Sequence, residues 1–197
     1  VDAMTLDGLS QLTGQSTWAG ICSALFTRVK PAGYQAGQKI AIKVNFNNMM
    51  ASSGNTCTSH NNTIDALPQP VIALAKGMVS AGVQASDIYC YDATGWEGVS
   101  VSGRPIPSYF RDKITAAVPG VKYIGHSGCS NTIQSTHGKN ASLNVTFHAT
   151  TGSIPTRKLA DILSDATYLI NMPLLKGHSG DSAMPVTLGF KNHCGSI

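Results

Sequence analysis

The residues best suited to chemistry lie near the end of the chain. Leu169-Ile170-Asn171-Met172-Pro173-Leu174-Leu175-Lys176-Gly177-His178 is followed, after a short polar stretch, by Thr187-Leu188-Gly189-Phe190-Lys191-Asn192. An apolar run that ends in Asn, Lys and His reads as a buried strand delivering polar groups to its tip. Lys176 and Lys191 sit in hydrophobic sequence, where an ammonium without an anionic or carbonyl partner is costly. A shared site would supply that partner. If the first segment is extended, Lys176 and His178 point to one face. If the second is helical, Thr187 and Lys191 are neighbours one turn apart, and hydroxyl and ammonium together suit a phosphate or carboxylate. The plainer alternatives are loop carbonyls for Lys176 and His178, and a solvated helix turn ended by Asn192 for the second cluster.

Other groups join them by position. Lys43 and Asn45 alternate with apolar residues and so share one face of a predicted strand, which a solvated face would also explain. Asp92 follows a second strand; it could orient a lysine or bind a hard cation, or begin a turn as Asp often does. For a transition metal the nearest set is His178, His193 and Cys194, a donor mix that suits zinc or iron. None of the six histidines forms a paired spacing, so such a site would have to assemble across loops.

Several reaction classes are excluded. No G-x-S-x-G elbow, Walker loop or dinucleotide glycine triplet is present. Glu97 is the single glutamate, which argues against a carboxylate pair for glycoside cleavage. The five cysteines include no CxxC pair, so there is no iron–sulfur or haem motif. Cys57 and Cys129 lie in polar stretches and are the pair expected to bond, whereas Cys90 sits in an apolar run as a small core residue.

The frame that must position these groups is a single domain. The chain of 197 residues is long enough for one core. Charged residues make up only 12%, about half the usual share, and Ser, Thr, Asn and Gly replace them. Fourteen Lys and Arg give a formal charge of +4 but form no block, which excludes a nucleic-acid surface built on clustered cations. No segment is long enough for a membrane span. A chain that starts at Val1, carries sequons at Asn61, Asn140 and Asn144 and is this poor in charge is expected to be an exported protein with its leader removed. The abrupt stop after the second motif suggests a piece of a longer protein.

Along the chain, residues 1–16 read as an irregular lead-in. Thr17 caps a predicted helix to about Lys30, ended by Pro31 and Gly33. Lys39 to Phe46 is a strand, 51–67 a long polar loop, and Pro70 opens a helix that Gly82 closes. Ile88–Tyr91 is a strand, Ile106–Val118 a helix and Val121–Ile124 a strand. Residues 127–142 read as loop, then Leu143, Val145 and Phe147 as a strand. Arg157–Leu163 reads as a helix and Ala166–Met172 as the last strand. This alternation predicts an α/β fold: a mainly parallel sheet with helices on both faces, layered as in Rossmann folds. Ligands bind such sheets beyond the carboxyl ends of the strands, where Lys43, Asn45, Asn47, Asp92, His126, Asn171, Lys176 and His178 gather.

The chain resembles the DUF362 family, a domain of unknown function, over roughly residues 38–195. Four stretches carry the likeness. Ile40–Asn45 resembles the family's early IKxN strand. Ala81-Gly82-Val83 with Asp87, Ile88 and Asp92 resembles its next unit. Residues 169–178 are similar to its INLPKLKTH signature, and residues 186–195 to its VTLALKNxxG signature. Gly177 stands where the family has Thr, and His193-Cys194 replaces an apolar pair. Members usually continue past the last motif, and some carry iron–sulfur domains for which this chain has no matching cysteines. The family has no agreed reaction, so the likeness implies a fold and a site position. The expectation is a crevice lined by Lys43, Asn45, Asp92, Asn171, Lys176, His178, Thr187, Lys191 and Asn192. It would take a small anionic ligand or a metal ion. The alternative is a secreted, self-assembling structural module with a vestigial site.

Overall fold

The computed structural model describes residues 1–46, Cys57, 65–92, 105–125, 129–143 and 158–174, with the backbone of 176–177 and 186–187. Five parallel strands form the main sheet: β1 (Lys39–Lys43), β2 (Ile88–Tyr91), β3 (Lys122–Gly125), β4 (Ile133–Gln134) and β5 (Ala166–Asn171). Their order across the sheet is β4-β3-β2-β1-β5. A separate antiparallel pair joins β6 (Lys176–Gly177) to β7 (Val186–Thr187). The α/β fold expected from the alternating pattern is therefore present.

Side-chain period explains the layering. Ile40 and Ile42 of β1 with Val44 just beyond it, Ile88 and Cys90 of β2, Tyr123 of β3 and Tyr168 of β5 share one face. On that face they meet α2 (Trp18–Val29) through Cys22 and Phe26, α3 (Pro68–Ser80) through Val71, Ala75 and Met78, and α4 (Ser108–Ala117) through Phe110 and Ile114. The opposite face carries Ala41, Tyr89 and Tyr91, covered by Ala160 and by Ile162 of the five-residue α5 (Asp161–Asp165). Right-handed crossovers account for this split. The march β1→β2→β3 puts α3 and α4 on one side, and the return to β5 puts α5 on the other. Both faces thus carry helix, but unequally.

Four expectations need correction. The lead-in is a helix, α1 (Asp2–Thr13), stopped by Gly14 in the left-handed region at φ 71°. It buries no residue fully and packs outside α2 and α3, so its own sequence carries little amphipathic signal. The stretch 127–142, which reads as loop, contains β4. The helix near 157 begins at Asp161, because Ala160 is bridged to His137 instead. β5 is an edge strand rather than a buried one, with Leu169 48% exposed. The strand expected through Val145 and Phe147 lies outside the described residues; Leu143 ends a 3-10 turn.

Helix α2 is capped as its sequence suggests: the Thr17 hydroxyl accepts the Gly20 N–H at 3.2 Å. Its first residue, Trp18, lies flat against α3 at Gly77. A Cβ at Gly77 would stand 2.1 Å from Trp18 Cδ2, inside the indole. Gly→Ala inside a helix ordinarily stabilises by about 1 kcal/mol. Here the sign is expected to reverse: Gly77→Ala should lower stability by about 1–3 kcal/mol through overpacking, read by urea denaturation.

Candidate functional site

The strand order reverses at β1, so the topological switch point lies between β1 and β5. The connection leaving β1 reaches α3 on one face and the one entering β5 comes from α5 on the other, and in such sheets a ligand crevice is expected at the carboxyl ends of the two strands. Lys43 and Asn171 are Cα partners at that point, and the Met172 N–H donates to the Lys43 carbonyl at 3.0 Å. The first signature segment therefore leaves β5 beside the tip of β1.

Lys43 is completely buried. Its ammonium donates to Asp92 Oδ1 and to the Val44 carbonyl, each at 2.6 Å, and stands 5.7 Å from the centroid of the Tyr91 ring. Asp92, also fully buried, accepts the Phe46 N–H at 2.6 Å through Oδ2. Its own N–H donates to the Ile124 carbonyl at 3.3 Å. One carboxylate thus clamps the carboxyl ends of β1 and β2 and its backbone reaches β3. The ammonium is turned inward, so Lys43 braces the carboxyl ends of β1 and β2 instead of projecting from them. Asn45 is half-buried, and its carbonyl accepts the Ala66 N–H at 2.8 Å; Asn171 is exposed at the rim.

A second buried carboxylate, Asp65, lies next to Ala66 and so joins this edge. Nothing in the sequence marks it, because a lone Asp in a long polar stretch looks like any solvated loop residue. Tyr109 donates to the Ala66 carbonyl at 3.2 Å. Burial, reinforced by the negative charge of Asp65, pushes the Tyr109 phenol well above its ordinary range.

Of the remaining expected residues, the structure brings the backbones of Lys176 and Thr187 opposite one another in the β6–β7 ladder. Thr187 is in a strand, so the helical spacing expected from Thr187 to Lys191 does not start there. His178, Lys191, Asn192, His193, Cys194, His126 and Asn47 lie outside the described residues. Among the described residues no three of His, Cys, Asp and Glu converge as metal ligands would.

The same edge is tied by a disulfide. Cys57 and Cys129 are bonded with Cα atoms 5.3 Å apart, as their polar surroundings led us to expect. The bridge joins the chain leaving β1 to the chain leaving β3. Cys57 is held further by the Ser108 N–H on its carbonyl at 2.8 Å. Beside Cys129, the buried guanidinium of Arg111 donates to the Ser130 carbonyl, and at 2.7 Å to the Ile106 carbonyl. Cys22 and Cys90 remain thiols in the core. Burial pushes Cys22 up to about 11 and Cys90 up to about 12, so neither forms thiolate near neutrality. Both should resist iodoacetamide in the folded protein and react on unfolding in urea, read by peptide mass spectrometry.

No protein-family model, curated protein or solved structure matches the chain, so the likeness to the DUF362 family rests on its motifs.

Proposed function

We propose that the chain is a DUF362-like α/β domain that binds a small anionic ligand in the crevice between the carboxyl ends of β1 and β5. The observation that carries this reading is the fully buried Lys43–Asp92 pair at the switch point, with Asn171 opposite Lys43. Such a pair fixes the crevice wall, and the polar rim supplies the contacts. Asn45 and Asn171 orient the ligand. Lys176, His178, Thr187, Lys191 and Asn192, from the two signature segments, neutralise and hydrogen-bond it. A metal ion held by His178, His193 and Cys194 is the other occupant these segments would suit.

The test is a thermal-shift screen with inorganic phosphate, citrate, zinc and magnesium, each run against added sodium chloride. A ligand at about 100 times its Kd stabilises by about 2.7 kcal/mol, which raises the melting temperature by several degrees. The expected shift with phosphate or citrate is lost in Lys176→Ala and Lys191→Ala. A flat screen would overturn the reading. If light scattering then showed large assemblies, the exported structural module would take its place. That second reading draws on the 12% charge content and the three sequons. It also draws on the Cys57–Cys129 bond, of a kind that persists in oxidising compartments.

A further inference from the structure

Lysines that are scattered in the sequence meet at the other end of the sheet, on the face that carries α5. Lys39 opens β1 and Lys122 opens β3. Between them stands Tyr89, with the Lys39 ammonium 5.6 Å and the Lys122 ammonium 5.1 Å from its ring centroid. Lys122 donates to the Tyr89 hydroxyl at 3.1 Å and meets no carboxylate among the described residues. Asp165 is shared: Lys39 reaches Oδ2 at 2.7 Å and Lys139 reaches Oδ1 at 2.6 Å. The two hydrogen-bonded ammonium groups, Lys139 first, hold the Asp165 carboxyl below the usual carboxylate range. The nearby Asp161 carboxylate accepts the Lys139 backbone N–H at 2.8 Å. The Lys158 side chain lies against Gly138, next to Lys139. Three ammonium groups, those of Lys39, Lys122 and Lys139, thus share one ring and two carboxylates.

This surplus is not spread over the surface. Like charges drawn onto one aromatic ring and one carboxylate repel each other unless an anion is added. Lys122 also borders a groove of about 770 Å³ along β3, where β4 pairs only with Ile124 and Gly125. The groove is lined by Thr115, Tyr123, Asn131 and Ile133 as well, which mixes hydroxyl, amide and apolar surface.

We propose that Lys39 and Lys122 on Tyr89, with Lys139 across the shared Asp165, form a second anion site, for the phosphate or sulfate group of a small molecule whose remainder lies in the groove. It sits at the amino ends of the strands, opposite the crevice, and stands independently of what the crevice binds. Tetrahedral dianions from either source share the chemistry. Two arms of the test separate them.

The test is a titration of the nitrogen-15-labelled protein with inorganic phosphate, and separately with sulfate, at constant ionic strength. Saturable shifts are expected at the amides of Lys39, Tyr89, Lys122 and Lys139, tighter for whichever anion the site prefers. Lys122→Gln with Lys139→Gln is expected to raise the Kd at least ten-fold. Both side chains are partly or fully solvent-facing, so the variant should keep the circular dichroism of the parent. Shifts that never saturate, that match those from sodium chloride, or that persist unchanged in the variant would overturn the site. Shifts confined to Asn45 and Asn171 would overturn it while supporting the crevice.

Discussion

Lys43→Met is expected to be among the most destabilising single substitutions in the protein. It leaves Asp92 charged, fully buried and stripped of its ammonium. Removing one partner of a buried ion pair costs about 3–5 kcal/mol, because the other charge stays in a medium that solvates it poorly. Domains of this kind are stable by about 5–15 kcal/mol in total, so a large share is at stake. The companion variant decides the cause. Asp92→Asn keeps a side-chain oxygen for the Phe46 N–H while removing the charge. Lys43→Met combined with Asp92→Asn should therefore recover more than half of the loss. Urea denaturation of the four proteins gives the coupling directly, with about 2 kcal/mol or more expected between the two positions. Losses that simply add would mean that the two groups are not paired in solution. A pair that couples strongly is a rigid wall for the crevice, which is its role in the proposed function.

The second large effect concerns the Cys57–Cys129 bond. The two residues are separated by 72 positions, and closing a loop of that length removes about 4 kcal/mol of chain entropy from the unfolded state. Cys57→Ser with Cys129→Ser should lower the urea midpoint accordingly, and reductant should shift the parent to meet it. The Ser108 N–H on Cys57 and the Arg111 guanidinium on Ser130 remain in the variant, so the edge keeps part of its bracing. A second consequence follows from position. The bond ties the chain leaving β1 to the chain leaving β3, so its loss should weaken ligand binding at the proposed crevice as well as stability.

How far the sequence reached depends on what each element needs. Strands β1, β2, β3 and β5 are short runs of branched and aromatic residues bounded by turn residues, and a central sheet leaves that mark. Helices α2, α3 and α4 carry a stripe that must meet the sheet, so their period was visible. Helix α1 packs on other helices and buries no residue fully, so the same reasoning missed it. β4 has two residues, both exposed, too few for any pattern. Lys43 and Asp92 were legible as polar residues at strand tips, yet their mutual bond was not, because register between β1 and β2 is a tertiary fact. Lys43 is not the ligand-facing cation its position at a strand tip suggests, because a lysine on a fully covered strand turns to the nearest buried carboxylate. The Lys39–Lys122–Lys139 group was hidden for the same reason, since distant positions meet only once the strands are stacked, and Asp65 was hidden because a polar stretch gives no sign of its burial. The Cys57–Cys129 pairing was legible because two cysteines in polar stretches contrast with Cys90 inside a strand.

The most direct measurement is a crystal structure of the protein soaked in tungstate, whose anomalous signal locates a bound oxyanion. The expected peak lies beside Asn171, between the carboxyl ends of β1 and β5, with the ammonium groups of Lys176 and Lys191 both turned toward it. The contradicting result is an empty crevice with those two ammonium groups on opposite sides of the molecule, each surrounded by solvent.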